Sequence, residues 1–322
     1  MSDKNYVKKI ALDSRSNFVC AETGEIVNSL IEEYSRFKFG DVSAIRSLSS
    51  ATAEMFIEVL EEGGEIRAVF ERAKNRGEFL YMQSPGIRNV ASSSNHLMIE
   101  VASKVNVWLA QNGLPTVIKK TVGRLASGIA NYAELSLEDR KSRLKTTVSL
   151  LPESDYSAWP INVIFIDDAE VTGCTQERAK AACLNSGALS FSPFFLLRVE
   201  QSHAQKDAAI ENLMNQCSVN GSLDNSVAAV LAHPDYRPVQ RMLRLLLNKQ
   251  NRKQLFDFAM FKVPSQNLIR VYLAALSNDY LNISSGGTSL YSESVKIVTA
   301  VLKERGLIDE TGMPLSVEAR YY

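Results

Sequence analysis

Residues Val163–Thr175 read VIFIDDAEVTGCT: four apolar residues, then two adjacent acids, then a short loop containing threonine and glycine. An apolar β-branched run of this kind is typical of a buried strand. Asp167 and Asp168 would then lie at the carboxyl end of the strand, where α/β proteins bind ligands. The loop would open a helix, whose free backbone N–H groups favour a phosphate. The stretch therefore predicts a ligand site at one edge of a sheet.

Strand and helix signals alternate around this stretch. The segments FLYMQSP, LPTVIKKT, INVIFI and LSFSPFFLLRVE read as strands, and helical patterns separate them. This order predicts an α/β fold with a mainly parallel, Rossmann-like sheet flanked by helices. Apolar residues at helical spacing predict helical additions at both ends of the chain. We divide the sequence into a helical region 1–77, an α/β core 78–200 and a helical region 201–322.

The composition narrows the classes of function. The 322 residues include 36 Lys and Arg against 36 Asp and Glu, so no nucleic-acid partner is expected. The four cysteines are scattered without a CxxC pair, which argues against a disulfide framework or zinc site. We find no signal peptide or membrane-spanning run and expect a cytoplasmic protein.

The acid pair and its loop can be interpreted chemically. Successive strand residues point to opposite faces, so one carboxylate could reach a sugar diol or a hydrated metal while the other orients the loop. Thr172, Gly173, Cys174 and Thr175 then begin a helix suited to a phosphate. Together these features fit a ribose 5-phosphate. The alternative is structural, because acids often end a buried strand and cap the next turn.

The string VIFIDDAEVTGCT, followed by a helix and LNSGA, resembles the signature of type I phosphoribosyltransferases, which bind 5-phosphoribosyl 1-diphosphate (PRPP). The resemblance implies a phosphoribosyltransferase core in which Asp167 and Asp168 bind the ribose hydroxyls. It also implies Mg²⁺ as cofactor, held by these acids through water or the ribose hydroxyls. Residues Thr172 to Thr175 would form the 5-phosphate loop, with Glu170 beside it as a further substrate contact.

Looser matches extend the resemblance to two other loops. In that family the loop after the first core strand contacts pyrophosphate, and here it reads SPGIRN and offers Arg88. The loop after the second core strand usually closes over the site. Here that loop is VIKKTVGRLASG, so Lys119, Lys120 and Arg124 are candidate clamps for the leaving pyrophosphate. The alternative for the lysines is an ordinary solvated pair.

Departures from the common enzymes shape the functional hypotheses. Val171 stands where purine-specific relatives place an acid, which disfavours purine salvage. A long insert and the C-terminal helices instead resemble orphan phosphoribosyltransferase-like proteins of bacterial stress clusters, including those for tellurite resistance. The leading hypothesis is phosphoribosyl transfer from PRPP to an unknown, nitrogen-bearing acceptor. The alternatives are a non-catalytic PRPP- or nucleotide-binding regulator and a scaffold with a decayed site. By analogy with that family we expect a homodimer.

Overall fold

The computed structural model describes residues 5–87, 89–123, 155–202, 210–281 and 291–315. Within them, six strands form one sheet in the order β2-β1-β6-β5-β3-β4. The strands are β1 (Tyr6–Leu12), β2 (Phe18–Cys20), β3 (Phe79–Gln83), β4 (Ile118–Lys120), β5 (Ile161–Glu170) and β6 (Ser190–Val199). All neighbouring strands are parallel except β1 and β2, which pair antiparallel. The predicted mainly parallel α/β sheet is confirmed.

Strand β5 lies in the middle of the sheet, between β3 and β6. Its first eight residues are buried, as the apolar run VIFI predicted. The strand is longer than the sequence indicated, since pairing continues past Ile166 to Ala169↔Leu197 and Glu170↔Arg198 on β6. The acid pair therefore lies within the last four residues of the strand, near its carboxyl end.

The first two strands were not predicted. No strand was expected before Phe79, yet β1 pairs with β6 through contacts such as Tyr6↔Phe195 and Ile10↔Val199. Lys8 and Lys9 interrupt the apolar pattern of β1, and the pairing partner lies far away in sequence. A neighbouring edge of the sheet, rather than local pattern, makes this segment a strand.

Helices flank the sheet and make up most of the C-terminal region. They are α1 (Asn28–Lys38), α2 (Val42–Glu62), α3 (Glu65–Arg76), α4 (Ser93–Gln111), α5 (Asp155–Ala158), α6 (Cys174–Asn185), α7 (Ile210–Gln216), α8 (Asn225–Ala232), α9 (Gln240–Leu246), α10 (Arg252–Phe261), α11 (Ser265–Ser277) and α12 (Ser292–Glu304). A short 3₁₀ helix, Lys249–Asn251, precedes α10. No helix in the described ranges is long and apolar enough to cross a membrane.

The chain divides into two compact units, and both are discontinuous. The first comprises residues 1–31, 45–88 and 93–214, and the second comprises 32–44, 89–92 and 215–322. Phe39 and Val90 belong to the apolar core of the second unit, together with side chains of α8 to α12. The regions 1–77, 78–200 and 201–322 were drawn from the helix and strand patterns of the sequence. They stay a prediction.

Candidate functional site

The candidate site lies where the order of strands changes direction. The chain passes from β3 to β4, which lies next to β3 on one side. It then returns to β5, which lies next to β3 on the other side. In parallel sheets such a point leaves a crevice at the carboxyl ends of the two strands, because their following loops diverge. Here the two strands are β3 and β5, and β5 carries the acid pair.

The two carboxylates converge on the start of α4. Ser94 Oγ lies 2.8 Å from Asp167 Oδ1 and 2.8 Å from Asp168 Oδ2, and Ser93 Oγ donates to Asp168 Oδ2 at 3.0 Å. The Asp168 backbone N–H also donates to Asp167 Oδ1 at 2.8 Å. Asp167 is 7% exposed and Asp168 is 4% exposed. One hydroxyl thus contacts both carboxylates, although successive strand residues normally point to opposite faces.

Ser93 and Ser94 were missed as functional candidates. The commonest role of serines in front of a helix is to cap it. Their hydroxyls instead contact carboxylates more than 70 positions further along the chain. Both serines lie in the first turn of a helix of 19 residues, whose dipole stabilises negative charge there. A run of serines after the first core strand was the available signal.

The neighbouring loop after β3 is fixed by Asn95 in the same helical turn. Asn95 Nδ2 donates to Ser84 Oγ at 2.6 Å and to the Pro85 carbonyl oxygen at 3.1 Å. Further along, the Ile87 N–H donates to the Val122 carbonyl at 2.9 Å, and Ile87 pairs with Gly123 as a parallel bridge. The segments that follow β3 and β4 are thereby held side by side.

The predicted phosphate loop has the backbone geometry of a helix start. Gly173 is the N-cap of α6 with φ 72° and ψ −10°, a left-handed conformation that glycine adopts without strain. The first helical hydrogen bond runs from the Glu177 N–H to the Gly173 carbonyl at 2.9 Å. No side chain of the described residues caps this helix. The amides of its first turn, at Cys174 and Thr175, are thus arranged as in helix termini that bind anions.

Glu170 lies under this loop but is paired with a cation. Its carboxylate forms an ion pair with Arg198, the residue opposite it on β6. The Arg198 guanidinium also lies 5.2 Å from the ring centroid of Tyr6 on β1. A Cβ atom at Gly173 would lie 3.7 Å from Glu170 Oε1. The Glu170 carboxylate therefore lies close to Gly173 while it is paired with Arg198. Its contact with a substrate stays a prediction.

The two candidate lysines occupy β4, at the edge of the sheet. Lys119 Nζ donates to Ser103 Oγ at 3.3 Å, which places it beside the third turn of α4, about 13 Å along that helix from Ser94. Lys120 pairs in register with Gln83 at the end of β3, and its ammonium lies 5.6 Å from the ring centroid of Tyr81. The lysines thus make contacts on opposite faces of the strand. Arg88 and Arg124 lie outside the described residues.

A series of buried side-chain hydrogen bonds passes through Gln83, the last residue of β3. The Tyr156 hydroxyl donates to Gln83 Oε1, and Gln83 Nε2 donates to Cys183 Sγ at 3.0 Å. Burial raises the pKa of the Cys183 thiol, while its hydrogen bonds with Gln83 and Tyr156 act in the opposite direction. The thiol is therefore neutral near pH 7 and serves packing rather than nucleophilic chemistry.

The donor set at the site suits a hydrated Mg²⁺. The described residues contain no cluster of three or more His, Cys, Asp or Glu side chains that could hold a metal ion alone. Mg²⁺ commonly takes one or two carboxylates and completes its shell with water and substrate oxygens. Asp167 and Asp168 supply two carboxylates in one place, so the predicted binding through water or ribose hydroxyls is compatible with the geometry.

Comparison with known proteins identifies the family. The family model described as PRTase ComF-like, where PRTase denotes phosphoribosyltransferase, matches residues 29–293. The match includes β3 to β6, the long insert after β4 and most of the C-terminal helices. A search of curated proteins found no significant match. Because the model spans most of the sequence, the chain belongs to the PRTase ComF-like family.

Proposed function

We propose that the protein binds PRPP with Mg²⁺ at this site and transfers its phosphoribosyl group to a nitrogen-bearing acceptor, releasing pyrophosphate. The family supports phosphoribosyl transfer or PRPP binding in general terms. The observation that supports the specific proposal is the convergence of Asp167 and Asp168 on Ser94, directly before the glycine-capped start of α6. Diol-binding acids and a phosphate-binding loop are the two parts that a ribose 5-phosphate requires.

The roles follow from the chemistry of the substrate. Asp167 and Asp168 orient the ribose hydroxyls, and the amides of Thr172 to Thr175 bind the 5-phosphate. The bond from the anomeric carbon to pyrophosphate breaks, positive charge develops on the ring, and the acceptor nitrogen forms the new bond. Bound Mg²⁺ would neutralise charge on the leaving pyrophosphate. Burial of the two carboxylates strengthens their electrostatic interaction with the developing charge.

The remaining candidates are assigned to the leaving group and the loop. Lys120 and Arg124 clamp pyrophosphate, with Lys119 and Arg88 as further contacts. Glu170, which is held by Arg198, is a further substrate contact beside the phosphate loop. Among the lysines, Lys120 has the better support because it is level with the last residue of β3. We also propose a cytoplasmic homodimer acting in stress resistance, on the strength of the family resemblance alone.

The proposal is tested by calorimetric titration of PRPP with and without Mg²⁺. We expect Mg²⁺-dependent binding, and we expect Asp168→Asn to raise the Kd about a hundredfold or more, because it removes a buried charge. Asp224→Asn is the matched control: Asp224 caps α8 in the helical unit, and asparagine caps helices equally well. Wild-type protein that binds neither PRPP nor ribose 5-phosphate would contradict the proposal.

A second candidate is a non-catalytic regulator that binds PRPP or a nucleotide. The supporting observation is that Val171 replaces the acid expected before Thr-Gly, while the carboxylate of Glu170 is engaged by Arg198. Neither residue then offers a free carboxylate to an acceptor base. Binding without pyrophosphate release across an acceptor screen, combined with ligand-dependent protease sensitivity of the C-terminal helices, would favour this candidate. Pyrophosphate release with any acceptor would exclude it.

A further inference from the structure

We infer that Ser94 is a positioning residue that sets the spacing of the two carboxylates, and this inference rests on the proposed function. The side-chain directions of the two acids on β5 support this inference. Adjacent strand residues project to opposite faces, so two neighbouring carboxylates do not normally share a donor. Here the Asp168 N–H turns the Asp167 carboxylate back towards its own strand, and Ser94 Oγ contacts both side chains at 2.8 Å.

The charges of the two carboxylates also support this inference. Two buried carboxylates close together repel each other, and the repulsion grows as water is excluded. Ser94 has a single hydroxyl proton, which it can share between the acids, and Ser93 donates separately to Asp168. Both serines lie at the amino end of α4, where the helix dipole also favours negative charge. Removal of the Ser94 hydroxyl removes a contact that both carboxylates share.

The packing of α4 also fixes the position of Ser94. Leu97, Val101 and Val105 follow it on the buried face of α4, and each is fully shielded from solvent. The helix therefore holds its first turn against the sheet by apolar packing along its length. Ligand groups placed on rigid elements keep the spacing that a diol or a hydrated cation needs.

The inference is tested with Ser94→Ala, Ser94→Thr and a control on the same helix. Ser103→Ala is a suitable control, because the Ser103 hydroxyl bonds to the Ile99 carbonyl on the exposed face. By calorimetry, Ser94→Ala should raise the Kd for PRPP with Mg²⁺ about tenfold or more. The threonine variant keeps the hydroxyl and should restore most of the affinity. Ser103→Ala should change the affinity far less than Ser94→Ala, because the Ser103 hydroxyl contacts Lys119 and the Ile99 carbonyl. Equal affinity in Ser94→Ala and wild type would overturn the inference and leave the proposed function standing.

A second measurement needs no ligand. Ser94→Ala is made in the wild-type and the Asp168→Asn backgrounds, and the midpoint of urea unfolding is measured for all four proteins. If Ser94 stabilises the charged pair, its removal lowers the midpoint more in the wild-type background. Equal losses in both backgrounds would overturn the inference. Because this cycle does not depend on PRPP, it decides the role of Ser94 even if wild-type protein binds no PRPP and the proposed function fails.

Discussion

Strand β5 has a buried polar cluster at each end, and the two clusters are built differently. At its start, Asn162 Nδ2 donates to Glu78 Oε2 at 2.9 Å, and Arg72 Nε donates to the same oxygen at 3.2 Å. Arg72 Nη2 also donates to Asn162 Oδ1 at 2.6 Å, so one guanidinium joins both partners. A buried carboxylate is thus matched by a partly exposed cation.

At the other end of β5, two adjacent acids accept hydrogen bonds from the neutral hydroxyls of Ser93 and Ser94. Hydroxyl donors orient a carboxylate without cancelling its charge. The difference teaches that a buried charge by itself does not mark a site. The cluster at the start of the strand fits a structural role, whereas the cluster at its end is the candidate site.

The largest effect on stability is expected at the start of the strand. Arg72→Met would remove the nearer of two guanidinium groups beside the buried Glu78, and we expect the free energy of unfolding to fall by about 2 kcal/mol. Arg67→Met on the same helix is the matched control, since the Arg67–Glu71 pair is a partly exposed i,i+4 contact worth less than about 0.5 kcal/mol. Urea denaturation measures both. Equal losses would mean that the buried cluster is no more important than a surface pair.

A smaller loss is expected at the loop after β5. Gly173→Ala places a Cβ atom at φ 72°, and the space is adequate, so the cost of about 1–2 kcal/mol comes from the backbone. Gly113→Ala, at φ 63° after α4, should cost the same. Only the change at Gly173 should weaken ribose 5-phosphate binding, measured by calorimetry. If both variants bind equally well, the loop is not the phosphate site.

The pH dependence of stability should also report on the cluster at the start of β5. Burial alone would raise the pKa of Glu78, but hydrogen bonds from Asn162 and Arg72 outweigh it and hold the pKa below the ordinary value of 4.5. A lowered folded pKa contributes stability that is complete above pH 4.5 and is lost as the pH falls through the folded pKa. Glu78→Gln should therefore flatten the acid limb of the stability profile, measured by urea unfolding at a series of pH values. An unchanged acid limb would contradict this assignment.

The smallest effect is expected from the lysines of β4. Lys120→Met should weaken PRPP binding about fivefold, the loss typical of one solvent-exposed charge contact. Lys119→Met is the comparison and should weaken binding less, because that ammonium bonds to Ser103 on the other face. A competition assay with pyrophosphate can measure both. Equal effects would show that the faces of β4 do not separate the two roles.

Local pattern predicted β3, β5 and β6, whose sequences are rich in β-branched or aromatic residues. The short edge strand β4 was predicted from the β-branched run that ends at Ile118. Strand β1 was not, because Lys8 and Lys9 weaken its pattern and its partner β6 is far away in sequence. The predicted end of β5 was also too early, since cross-strand pairing of Ala169 and Glu170 outweighs the low strand propensity of aspartate.

The candidate site was predicted only in part, for a similar reason. The acid pair and the loop at Gly173 form one continuous motif, so a single stretch of sequence revealed both. Ser93 and Ser94 lie more than 70 residues earlier, and their contact with the acids depends on how α4 packs against β5. A sequence pattern contains residue types and spacing, whereas such contacts are set by tertiary structure.

The discontinuity of the second unit affects how the protein can fold during synthesis. Phe39 and Val90 leave the ribosome long before residues 215–322, whose helices complete the core around them. Until then these apolar side chains lack their native neighbours and are open to non-native association. A fragment that begins at residue 215 would likewise lack part of its own core. The helical unit therefore depends on the whole chain for assembly, and chaperone contacts should concentrate on the early segments 32–44 and 89–92.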